Sequence, residues 1–146
     1  NFLLLRLTGS IRDLSMPHRH QRILPFIFIS AIYIFVTVMF YWKFPIPNLL
    51  RLMMIVSALV VFATVVTFFY KISVHSLAIW GAVGMMLPMN KVSGIGSLLI
   101  PTAIVIVIAG MVMSARLALN AHTPREILIG STSGFAIGFF GMIILF

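Results

Sequence analysis

Uncharged apolar runs of helix length recur along the chain, and short polar stretches between them hold nearly all of the ionisable residues. A helix needs about 20 apolar residues to cross a hydrocarbon core. The first run extends from Ile23 to Trp42 and closes on Tyr41, Trp42 and Lys43, an aromatic-plus-cation ending suited to a membrane surface. Phe44-Pro45-Ile46-Pro47-Asn48 then breaks the helix. Further helices are predicted over 52–70, 75–89, 92–114 and 126–146. The third of the five is interrupted by Gly81, Gly84 and Pro88, and its shortness implies a kink or an extension into the loop from Asn90 to Gly94. Pro101 falls inside the fourth, where neighbouring helices can re-satisfy the freed backbone groups. The fifth carries Gly130, Gly134 and Gly138 at spacing four, a ridge that admits a close helix neighbour. Residues 1–9, with the apolar run Phe2 to Leu5, read as the tail of an earlier helix, or else as a short interfacial segment. The expectation is one all-α integral membrane domain over 1–146, a bundle of about five to six transmembrane helices.

Composition supports this pattern. The chain is 62% hydrophobic and only 8% charged, against about 25% charged in soluble domains. Too few charges exist to cover a water-facing surface. Ten Lys and Arg against two acids leave a net charge of +8. In a membrane chain that excess fits anionic headgroups or an anionic lipid ligand rather than nucleic acid. The absence of cysteine excludes disulfides and thiolate chemistry. The expected location is multi-pass, in a bacterial inner membrane.

Threading five spans divides the loops between two faces. All four histidines (His18, His20, His75 and His122) and both acids (Asp13 and Glu126) fall on the same face. Arg12, Arg19, Arg22, Lys71, Arg116 and Arg125 join them, whereas the other face keeps Lys43, Arg51 and Lys91. Histidine serves as acid, base or nucleophile near neutral pH, and Arg and Lys bind phosphate through charge-assisted hydrogen bonds. Such a set suits a phosphorylated ligand. It does not suit a magnesium site, which needs carboxylates, nor zinc, since no tight histidine pair is present. Solvated surface histidines and positive-inside loops are the plainer explanations of the same residues.

Two segments carry more information than composition. One is Ser114-Ala115-Arg116 through His122 to Glu126, in which Arg, five residues, His, three residues and an acid follow in order. The other is Lys71-Ile72-Ser73-Val74-His75. The first resembles the third signature of the type 2 phosphatidic acid phosphatase superfamily, Ser-Arg-x5-His-x3-Asp. The second resembles a degenerate form of that family's Pro-Ser-Gly-His signature, and two predicted helices separate the segments as they do there. The resemblance covers roughly residues 71–138. Ala115 splits Ser114 from Arg116, Glu126 stands for Asp, and Val74 stands for Gly. The family's first signature, Lys-x6-Arg-Pro, has no clean match; Arg12 and Arg19 have the spacing, but His20 follows.

The resemblance implies a membrane phosphatase acting on a lipid phosphate or polyprenyl diphosphate, with its site at one membrane face, without metal or cofactor. His122 would be the nucleophile that forms a phosphohistidine, Glu126 would fix its tautomer, and His75 would protonate the leaving group. Arg116, Lys71 and the Ser73 hydroxyl would hold the phosphoryl oxygens, with Arg19 or Arg22 completing the clamp. A phosphotransferase of the same chemistry and a non-catalytic protein that binds lipid phosphate are the alternatives.

Overall fold

A computed structural model describes residues 20–44, 46–92 and 98–146. Those residues form five helices: α1 (His20–Lys43), α2 (Pro47–Phe69), α3 (Val74–Val92), α4 (Leu99–Ala118) and α5 (Pro124–Leu145). Among the described residues there is no strand. Stretches of α1, α2, α4 and α5 are long and apolar enough to cross a membrane. The third helix is helical but falls short of that measure. The predicted tail at residues 1–9 lies outside the described residues.

Two helix boundaries differ from those expected. The second helix opens at Pro47 rather than near residue 52, because proline's fixed φ and missing N–H suit the first helical turn. Val92 closes α3 instead of opening the fourth helix, which starts at Leu99 and runs on to Ala118. Pro88 does not end α3. Beyond it, Asn90 donates from Nδ2 to Thr102 Oγ1 at 2.8 Å, which ties the last turn of α3 to the first turn of α4.

Many large apolar side chains lie on the outside of the helices, and several Ser and Thr residues are buried between them. On α1 and α4 the exposed residues include Phe35, Ile100, Val107 and Met111, each at least 63% exposed. Some hydroxyls instead face a neighbouring helix. Ser30 meets Thr64 at 2.5 Å and Thr37 meets Ser57 at 2.7 Å, so α1 and α2 are joined along an antiparallel seam. With apolar side chains turned outward, the chain is compatible with a multi-pass integral membrane protein.

The centre of the bundle is α3, which packs chiefly on α5 and more lightly on α4 and α2. The glycine ridge on α5 makes this contact. A Cβ added at Gly130 would press on the Ser73 carbonyl, one at Gly134 on that of Leu77, and one at Gly138 on that of Gly81. Both series rise by four, so α3 and α5 run parallel, backbone against backbone. Their N-termini therefore end side by side. Leu59, Ala63, Ile72 and Leu77 form a buried cluster beneath that end.

Candidate functional site

The parallel pairing brings the two sequence segments together. Arg116 lies in the last turn of α4. The helix ends in a Schellman turn, with Ala121 N–H donating to the Arg116 carbonyl at 3.1 Å and Asn120 N–H to Leu117 at 2.9 Å. Asn120 takes the left-handed conformation this turn requires, at φ 50°, which asparagine tolerates better than most residues. Thr123 then caps α5 and Pro124 opens it. The five residues between Arg116 and His122 thus span one helix stop and the approach to the next helix.

Glu126 holds both the turn and the histidine. Its backbone N–H donates to Thr123 Oγ1 and its Oε2 accepts from Thr123 N–H, both at 3.3 Å, which completes a capping box. The same Oε2 lies 2.7 Å from His122 Nδ1. A carboxylate only accepts, so Nδ1 carries a proton. His122 is 9% exposed, and its ring is held between this contact and the protein. Thr123→Ala removes the cap acceptor and is expected to lower stability by about 1 kcal/mol, measured by thermal unfolding in detergent.

The Lys71 segment reaches the same turn. Lys71 Nζ donates to the Ala121 carbonyl at 3.1 Å, immediately before His122, and Ser73 N–H donates to the Glu126 carbonyl at 3.2 Å. Lys71 is half-buried, and an ammonium has three donors, so one bond leaves capacity toward an anion. Ser73 is fully buried. Its Oγ accepts from Ser76 N–H at 3.4 Å and lies 2.9 Å from Ser76 Oγ, so the hydroxyl caps α3 rather than facing outward. His75, in the first turn of α3, is exposed, and Arg116 is half-buried. Arg19 and the side chain of Arg22 lie outside the described residues.

The structure therefore gathers His122, Glu126, Lys71 and Ser73 through direct contacts, with the Arg116 backbone bonded to the same turn through Ala121 and His75 two residues after Ser73. Sequence reasoning passed over Thr123, Ser76 and Asn120. Thr-Pro-x-Glu is a legible capping box, and asparagine after a helix is a legible stop; nothing in the sequence marks Ser76. Among the described residues no group of three or more metal-ligating side chains comes together. No protein-family model, curated protein or solved structure matches the chain, so its residues and their geometry carry the functional argument.

Proposed function

We propose that this chain is a multi-pass membrane phosphatase that hydrolyses a lipid phosphate or polyprenyl diphosphate through a phosphohistidine on His122. The observation that carries this reading is the His122–Glu126 contact, which fixes the imidazole at an end of the bundle where Lys71 and Arg116 supply cations. In the first step Nε2 bonds to phosphorus and the bond from phosphorus to the leaving oxygen breaks, its electron pair going to that oxygen. His75 protonates the leaving alkoxide or phosphate, and such transfers typically contribute about 10²–10⁴-fold. Water then displaces histidine from phosphorus, with His75 taking up the proton, and phosphate is released.

Arg116 and Lys71 neutralise the charge on the phosphoryl oxygens, the main electrostatic task in phosphoryl transfer. Arg19 and Arg22 are proposed to add to that clamp. Ser73 contributes by fixing the start of α3, and so the places of His75 and Lys71. Because these groups occupy helix ends at one face, the substrate keeps its tail in the bilayer and its phosphate at headgroup level. The proposed setting is a bacterial inner membrane.

One observation favours a binding protein without catalysis. The capping box alone accounts for an acid four residues after His122. Phosphate release by purified protein in detergent, from phosphatidic acid and a polyprenyl diphosphate with EDTA present, separates the readings. Release that persists in EDTA is expected, and release that EDTA abolishes contradicts the histidine mechanism.

A further inference from the structure

A cleft of about 410 Å³ opens sideways between α4 and α5, with Trp80 of α3 as its back wall. Met113 borders it from α4, and Leu128, Ser131, Thr132 and Phe135 border it from α5. Its polar atoms are already engaged. The Trp80 indole N–H points to Met113 Sδ at 3.0 Å, and the Ser131 and Thr132 hydroxyls donate to carbonyls of their own helix at 2.9 and 2.8 Å. The Phe135 ring stands edge-on to Trp80 at 6.3 Å. What the cleft offers a ligand is apolar surface. At bilayer depth such a space fills with hydrocarbon, because water there lacks hydrogen-bond partners.

The position of the cleft selects which hydrocarbon. Met113 precedes Arg116 by three residues on α4, and Leu128 follows Glu126 by two on α5. At 1.5 Å per residue the cleft therefore starts about 3–5 Å below the cationic end of the bundle. From Leu128 to Phe135 it runs about 10 Å further into the bilayer. A chain moving from bilayer to cleft gains no hydrophobic energy, since both are apolar. Selectivity must come from the headgroup, and the cations above the cleft favour a phosphomonoester over a zwitterionic head.

We propose that this cleft seats the upper part of one hydrocarbon chain of the lipid whose phosphate lies against Arg116, Lys71 and His122, reached laterally from the bilayer. The proposal rests on the phosphate-site reading above but not on hydrolysis. The chain has two tryptophans, so Trp42→Phe leaves Trp80 as sole reporter. In phosphatidylcholine vesicles holding a few mole per cent of chain-brominated lipid, brominated phosphatidic acid is expected to quench Trp80 at least about fivefold more than brominated phosphatidylcholine, the effect of about one cation on an anionic lipid. Thr132→Phe, which fills the cleft, is expected to remove that difference. Val60→Phe, in the separate cavity of about 320 Å³ bordered by α1, α2 and α3, is expected to preserve it.

Equal quenching by the two lipids overturns the proposal, as does a preference that survives Thr132→Phe. Selective quenching without phosphate release leaves the cleft assignment standing and removes the hydrolytic reading. Phosphate release with unselective quenching does the reverse.

Discussion

Exchange of His122 for alanine is expected to lower phosphate release by on the order of 10³-fold or more, because the group proposed to bond to phosphorus is gone. The helices should persist, since the Thr123–Glu126 capping box does not include the His122 side chain. Circular dichroism and gel filtration check that point beside the rate. The sharper variant is Glu126→Gln. Glutamine also completes a capping box, and its amide oxygen still accepts from Nδ1, so the turn and the tautomer survive. What disappears is the negative charge that supports the imidazole as positive charge develops on it. A fall of at least about tenfold in kcat at unchanged Tm is expected from that loss. If Glu126 only caps the helix, the rate is unchanged, and the acid has no part in the chemistry.

Gly134→Leu is expected to cause the largest loss of stability. A Cβ at Gly134 would overlap the Leu77 carbonyl, which is backbone and cannot swing aside as a side chain can. Overpacking against movable neighbours already costs about 1–3 kcal/mol, and here two helices must part. The expected result is aggregated or expanded protein by gel filtration, with phosphate release lost because the Lys71 and His122 segments separate. Gly110 supplies the contrast. Nothing lies within 4 Å of a Cβ there, so Gly110→Ala is expected to be neutral or to gain up to about 1 kcal/mol from helix propensity. A well-folded Gly134→Leu protein at parental Tm would show that α3 and α5 do not meet as described.

The helices were legible because apolar runs long enough to cross a bilayer leave few alternatives. Their ends were less so. Pro47 reads equally as a turn residue or a first helical residue, and Pro88 reads as a break unless Asn90 is known to bind Thr102. The glycine ridge on α5 announced a close neighbour, but not that Ser73, Leu77 and Gly81 of α3 would meet it in step. The spacing suggested that His122 would meet Glu126 across one helical turn. His122 precedes the Thr123 cap, however, and the capping box is what turns the Glu126 side chain back to it. Nor was spacing enough to show that Lys71 would bind the Ala121 carbonyl, a contact between residues 50 positions apart. Ser73 illustrates the opposite failure. Its place in a motif suggested a ligand contact, whereas its hydroxyl is spent inside the protein as a cap.

The lower apolarity of α3 has a consequence for how the protein is assembled. Synthesis delivers α3 before the helix that covers its glycine-lined face, and α3 is the least apolar of the five described helices. Its most extensive packing partner is α5, which emerges later and lies along it from Ser73 to Gly81. The turn that bears His122 arrives with that same late segment. A nascent chain halted before α5 would hold Lys71 and His75 without the turn that bears His122, so the proposed site is assembled only once α5 has docked.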